Sequence, residues 1–418
     1  MPSSTQRTVN SFAIVLVLAV VLAPSAQPQT FTVLHDFTGG QDGRYPLAGL
    51  SIDKSGNLYG TAADGGSGGL GTVFKLSHKG SGWTFSPLYS FLGGDDGGKP
   101  YARVVFGPDG SLYGTTNSAA NLGCFQGYGC GTVFNLRPPP RACTTALSPW
   151  TETVLYSFTG GSDGGNPWGA DLVFDQAGSL YGTTAYGGHA GCSATGCGVV
   201  YKLTPSSGGW TETVLYSFTG GNDGGNPAGG VIFDQAGNLY GVTTDSGPSR
   251  QGTVYKLTPS GSGWTENTIF DPQNFYGSQP IGSLVFDEYG NLFGAAYSDT
   301  VNLPWYPGTL FEIENLSGNW ILRYDYDFSG DHPVSGLTAD GAGSLYGAAY
   351  ADPGNQGVPS LIYKLAPSNG SWSFSFVYEF AQGTIPSGVV VVDASGNIYG
   401  TTQNGGEYGF GVVWEITP

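Results

Sequence analysis

Charge is scarce in this chain. Asp, Glu, Lys and Arg make up 11% of its 418 residues, against about 25% in an ordinary soluble domain. Cations are scarcer still: 14 Lys and Arg stand against 31 Asp and Glu, a net charge of −17. So acidic a surface repels phosphate backbones and anionic membranes, so neither nucleic acid nor a lipid surface is an expected partner. Histidine is rare, with four residues at positions 35, 78, 189 and 332. The sequence holds no His-Glu-x-x-His pair and no nucleotide-binding loop. Long apolar runs are missing beyond residue 23. The single run, residues 12–23 (FAIVLVLAVVLA), falls short of the roughly 20 residues of a membrane span. Arg7 precedes it and small residues follow, the pattern of a secretory leader. Residues 1–26 are therefore expected to be a signal peptide, and residues 27–418 an exported domain in the periplasm, on the cell surface or outside the cell. A monomer is expected.

Helical periodicity is also absent, and glycine is abundant. The chain has 72 Gly, and 14% of its residues are aromatic, which together point to short aromatic-rich strands joined by tight turns. There are five Cys, at 124, 130, 143, 192 and 197. Export makes disulfides chemically reasonable. Cys124 with Cys130 and Cys192 with Cys197 are the expected pairs, with Cys143 left over; a zinc site is the rival reading, but neither loop supplies the remaining ligands.

A repeat organises the rest. Leu-Tyr-Gly or a near variant occurs seven times, its central aromatic being Tyr59, Tyr113, Tyr181, Tyr240, Phe293, Tyr346 and Tyr399. Four phrases recur around each copy. An apolar run ends in Asp, as in ADLVFD at 170–175; then come NLYGTT-like, GTVFKL-like and Trp-led segments. Each reads as a strand, and four antiparallel strands per unit make a propeller blade. Phrases one to three occur seven times but the Trp-led phrase only six times, while a displaced relative, FTVLHDF at 31–37, stands before the first unit. The expectation is an all-β, seven-bladed β-propeller of about 46–91, 100–158, 167–218, 227–270, 280–328, 333–380 and 386–418, its ring closed by the N-terminal strand 30–37. Closure removes open sheet edges, which an open array would have to cap. The Asp-x-x-Gly after phrase one is expected to be a turn clipped by its own carboxylate.

These SGNLYGTT-, GTVFKL- and WTETVLYSFTGG-type elements resemble the GloVer tandem repeat of choice-of-anchor bacterial surface proteins, over residues 30–418. The resemblance implies an exported or surface setting and brings no catalytic residues. In that family the repeats precede variable C-terminal anchors; here the last repeat reaches the final residue, so covalent or membrane anchoring is not expected.

Function is sought on the top face, where the loops between blades and those after the second strand meet. The loops between blades place Asp42, Asp96, Asp163 and Asp223 in register. Carboxylates with backbone carbonyls ligate calcium, so these four are candidate metal residues, with a turn-clipping role as the plainer alternative. Positions where the copies disagree are better candidates. After the Pro that opens each blade stand Leu47, Tyr101, Trp168, Ala228, Ile281, Val334 and Ser387. Tyr101 and Trp168 are the aromatic exceptions, and the loops after strand two add Tyr186, His189, Tyr297, Trp305 and Tyr350. Aromatic faces beside Asp and Asn suit sugar recognition. The expected function is a non-catalytic, exported propeller binding a glycan or protein through these residues. The alternatives are a metal-dependent lyase, lactonase or hydrolase gathering ligands from several blades, and a purely structural cell-surface protein.

Overall fold

The computed structural model describes residues 29–80, 82–118, 124, 129–139, 150–192, 195–272, 279–297, 308–328, 331–351, 359–368 and 370–418. The expected leader, Cys143 and Trp305 lie outside these residues. Seven antiparallel sheets follow one another along the chain as the blades of a closed propeller. Blade 3 is representative: Val173–Phe174, Leu180–Thr184, Val199–Ser206 and Gly209–Ser217, in that order from the axis outward. The ring closes as the phrase count requires. Thr30–Asp36 pairs antiparallel with Val412–Thr417 of the last unit, Phe31 opposite Ile416 and Asp36 opposite Val412, so blade 7 takes its outermost strand from the start of the chain.

The recurring phrases are the parts of the joint between blades. The Tyr of Leu-Tyr-Gly packs edge-on against the first-strand Phe of the next blade, Tyr59 on Phe106, Tyr113 on Phe174 and Tyr240 on Phe286, with ring centroids 5.0–5.2 Å apart. It also meets the Trp that begins the next blade's outer strand: Trp150, Trp210 and Trp320 in the same three joints. Across the closure, Trp83 meets Tyr399. Edge-to-face aromatic pairs of this kind add about 0.5–1.5 kcal/mol beyond their burial. The Gly of the motif makes room for a cross-strand ring: a Cβ at Gly400 would lie 2.3 Å from Trp414, which is fully buried.

Turn chemistry explains the rest of the repeat. In Asp53-Lys-Ser-Gly56-Asn57, the Asp53 carboxylate accepts the backbone N–H of Ser55 and Asn57 at 2.8 and 2.9 Å and the Tyr59 hydroxyl at 3.2 Å. Asp175, Asp234, Asp340 and Asp393 repeat the arrangement. In blade 2, Gly107 stands at this position, and Asp109 clips the turn by accepting from Ser111 N at 3.1 Å. The first Gly of the Gly-Gly crossing, after Thr or, in blade 1, after Leu92, is left-handed for a local reason. A Cβ at Gly220 would lie 2.7 Å from Cys192 Sγ, at Gly39 2.8 Å from the Phe410 ring, and at Gly93 2.6 Å from Leu70. These three crossings, and the one at Gly160 beside Cys124, thus receive a plug from the second-strand loop of the blade before. In blades 2 and 3 that plug is a disulfide, Cys124–Cys130 and Cys192–Cys197.

Candidate functional site

The residue before the opening Pro of blades 1 to 5 is left-handed although none is Gly: Tyr45, Lys99, Asn166, Asn226 and Gln279 have φ between 54° and 62°. Such backbone costs free energy and needs a reason. Here the corner bridges two blades. Asn166 N donates to Cys130 O of blade 2 at 2.7 Å, while its carbonyl accepts from Ala185 N of its own second strand at 3.1 Å. Tyr45, Lys99 and Gln279 make the same pair of bonds. The corner turns the chain inward, and the next side chain, the one after Pro, is delivered to the axis.

The residues after Pro in all seven blades line one cavity of about 610 Å³ at the top end of the axis: Leu47, Tyr101, Trp168, Ala228 and Ile281 behind such corners, with Val334 and Ser387 of blades 6 and 7. The volume falls within the range of small-ligand sites, roughly 300–1,000 Å³. Beneath it the inner strands approach backbone to backbone. A Cβ at Gly282 would lie 2.0 Å from Gly336 N, and one at Gly388 2.0 Å from Gly49 N.

Two aromatic walls face each other across the ring. Tyr101 and Trp168, on blades 2 and 3, pack edge to face at 4.9 Å, and Trp168 remains 53% exposed. Burial raises the Tyr101 phenol pKa, with nearby Lys99 acting the other way, so the hydroxyl is neutral at neutral pH. Tyr297 and Tyr350, on blades 5 and 6, line the cavity with rings 6.2 Å apart and hydroxyls 2.5 Å apart. His332 is the cross-strand partner of Tyr350, and its ring lies 4.8 and 5.4 Å from the two tyrosine rings. Beside it, burial pushes Asp331 up to about 6.

Of the expected binding residues, then, Tyr101, Trp168, Tyr297 and Tyr350 converge. Tyr186 and His189 do not line the cavity: Tyr186 pairs through its backbone with Gly165, and exposed His189 donates its backbone N–H to Ser217 Oγ at 2.9 Å. The four loop aspartates sit between outer strands and hold their own loops. Asp223 accepts Thr219 N at 2.7 Å, Thr219 Oγ1 at 2.6 Å and the Tyr216 hydroxyl at 3.0 Å. Asp163 is bound alike by Thr159 and Tyr156, Asp42 by Thr38 and His35, and Asp96 by Leu92 N and Tyr89. Among the described residues, no three His, Cys, Asp or Glu side chains gather where an ion could be held.

Sequence reasoning missed one polar pair. Arg103 Nε donates to Asp171 Oδ2 at 2.6 Å, and both line the cavity. The signal was a break in size and charge: the corresponding inner-strand positions hold Gly49, Gly230, Ser283, Gly336 and Val389.

The sequence matches the Gloeobacter/Verrucomicrobia repeat over residues 20–148 and 126–358. The chain belongs to that family. No curated protein matches it. Several solved structures share its fold. One is a polysaccharide lyase of family PL25, an ulvan lyase bound to -[GlcA(1-4)Rha3S]-, 11% identical, with TM-score 0.54 over 89% of this chain and 94% of that one. The polysaccharide lyase Uly1 is 12% identical, with TM-score 0.53 over 89% and 90%. YCF48 bound to a D1 peptide is 12% identical, with TM-score 0.50 over 95% and 97%. At such identities the likeness of this repeat-family member to them is one of fold. Among its described residues, no helix is long and apolar enough to cross a membrane.

Proposed function

We propose that this repeat-family protein is an exported, non-catalytic propeller that binds a glycan in its top-face cavity. The convergence of Tyr101 and Trp168 with Tyr297 and Tyr350 around one cavity carries the reading. Aromatic faces stack on the apolar faces of sugar rings, and the Arg103–Asp171 pair and backbone groups answer the hydroxyls. The two disulfides fit an oxidising compartment, which a glycan-facing protein would occupy. The loop aspartates serve the loops rather than calcium, so chelation should leave the melting temperature unchanged. Trp168→Ala should abolish glycan capture with circular dichroism and melting intact, because the exposed ring supports little of the core. Capture unchanged in Trp168→Ala and Tyr101→Ala would defeat the proposal.

A catalytic reading has one observation in its favour. The adjacent Tyr297 and Tyr350 hydroxyls with His332 are groups that move protons, and polysaccharide lyases share the fold. Shortening of a bound polysaccharide by the wild type, lost in Tyr350→Phe, would favour it.

A further inference from the structure

Given a glycan site in the cavity, as proposed above, the shape of the cavity bears on which part of a glycan it takes. Neighbouring inner strands touch at every joint of the ring. Ser51 Oγ of blade 1 donates to Val104 O of blade 2 at 2.5 Å, and Thr338 Oγ1 of blade 6 to Val390 O of blade 7 at 2.7 Å. A Cβ at Gly229 would lie 2.3 Å from Gly282 O, at Gly230 2.3 Å from Asp171 O, at Gly336 2.1 Å from Ser283 O and at Gly49 2.3 Å from Val389 O. Arg103 and Asp171 join blades 2 and 3. The wall is therefore continuous around the ring and leaves no slot for a chain to run through sideways. Along the axis the cavity is lined no deeper than Gly49, Arg103, Asp171, Ser283, Gly336 and Val389, and the residue after each of these is buried. A cup of this form, of about 610 Å³, admits a polymer end first.

The wall breaks the repeat most strongly in blades 2 and 3. Pro167 stands five residues before Leu172, whereas Pro100 stands four before the matching Val104, the spacing of the other blades. The extra residue falls beside Gly169, left-handed at φ 58° with open space where a Cβ would be. It lets Trp168 stand clear of the wall, 53% exposed.

Below Trp168 lies the polar pair. Among the described residues, the Arg103 guanidinium donates only to Asp171, and the Asp171 carboxylate accepts only from Arg103. A guanidinium has more N–H donors than this bond uses, and a carboxylate has a second oxygen. Neither side chain has a buried polar atom without a partner, so the unused donors and acceptor are open to solvent. They offer donation and acceptance side by side. A chain end answers both, because it carries a free hydroxyl where an internal sugar has a linkage oxygen, which accepts and cannot donate.

We infer that the cavity takes the end of a glycan chain rather than its middle, the terminal sugar stacked on Trp168 with its hydroxyls on the Arg103–Asp171 pair.

The test titrates the full protein by calorimetry with linear manno-, cello-, xylo- and galacturono-hexasaccharides, then with a longer soluble fraction of the polymer whose hexasaccharide binds best. One protein should bind per chain at both lengths, with the same affinity per chain. Arg103→Lys, which keeps the charge and loses the planar fork, and Asp171→Asn should each weaken the hexasaccharide about tenfold, the scale of one hydrogen bond left unmade. Circular dichroism checks the fold of both variants. Several proteins per long chain, with affinity rising with length, would overturn recognition of the end and leave the glycan site standing. Both variants binding like the wild type, while Trp168→Ala does not bind, would overturn the polar anchor and again leave the site. If no hexasaccharide binds, or if Trp168→Ala binds normally, the glycan reading falls and this inference with it.

Discussion

Six of the seven joints between blades are built in two ways, joint 4/5 having Leu322 at the position that distinguishes them. At joints 1/2, 2/3 and 3/4, a Tyr hydroxyl on one outer strand donates to the loop aspartate: Tyr89 to Asp96, Tyr156 to Asp163, Tyr216 to Asp223. Glu152, Glu212 or Glu266 on the next outer strand adds a second carboxylate, and burial with that nearby Asp pushes each Glu up to about 7. At joints 5/6, 6/7 and 7/1, the Glu position is Phe374, Phe31 and Phe85, by the same cross-strand register. There the ring stacks on Tyr326, Tyr378 or His35, with centroids 3.8, 4.5 and 3.8 Å apart. One backbone position thus accepts either an acidic clasp or a ring stack. The clasp makes its joints sensitive to alkaline pH; the stacks set no second carboxylate there, and at joint 7/1 burial holds the His35 imidazole below its usual value, with Asp42 acting the other way. The top-face cavity draws one aromatic wall from each half of the ring.

Exchanging the two joint types should give the largest effect. Phe374→Glu sets an unmatched, desolvated carboxylate against Tyr326 and removes the stack, with an expected cost of about 3 kcal/mol in denaturant unfolding. Glu212→Phe, which imports a ring beside Tyr156, should cost much less. Replacing Cys192 and Cys197 by Ser should cost about 2 kcal/mol, the chain-entropy value for so short a loop, and equal reduction sensitivity in joints without a disulfide plug would contradict the plug assignment. Gly220→Ala forces a Cβ into the plug and an unfavourable φ, whereas Gly383→Ala meets only the φ penalty, since nothing lies within 4 Å. Differential scanning should therefore place Gly220→Ala clearly below Gly383→Ala, the latter costing about 1 kcal/mol.

The effect smallest per residue is the pH dependence. Glu152, Glu212 and Glu266 have folded values near 7, above the usual 4.5. Protonation favours the fold, so their contribution is complete below about 4.5 and is lost as pH rises through 7. They are partly exposed, so screening leaves on the order of 1 kcal/mol each. Asp53, Asp175, Asp234 and Asp340 run the other way. Burial alone would raise them, but accepted hydrogen bonds hold them net lower, so their contribution is present at neutral pH and lost in acid. Melting temperature should peak between the two ranges, and Glu→Gln at all three joints should flatten the alkaline limb.

Much of this was legible in the sequence because it repeats. The unpaired FTVLHDF segment identified the closing strand, the Asp-x-x-Gly spacing the clipped turns, and the short Cys spacings the two disulfides. Divergence after Pro led to Tyr101 and Trp168, and divergence after strand two to Tyr297 and Tyr350. What was hidden depends on neighbours far along the chain. Nothing local marks Lys99 or Gln279 as left-handed, since the bonds that hold them come from the preceding blade. Tyr186 and His189 looked equal to Tyr297 by position, yet their loop turns outward over the crossing at Gly161. Arg103 and Asp171 are 68 residues apart, and only ring geometry makes them a pair.

The central claim is that obeying the repeat builds the ring and breaking it builds the site. Glycan affinity and melting temperature measured together for Trp168→Ala and Asp163→Asn test it most directly. The account predicts lost affinity with an unchanged melting temperature for the first, and a lowered melting temperature with retained affinity for the second. The reverse pattern would contradict it.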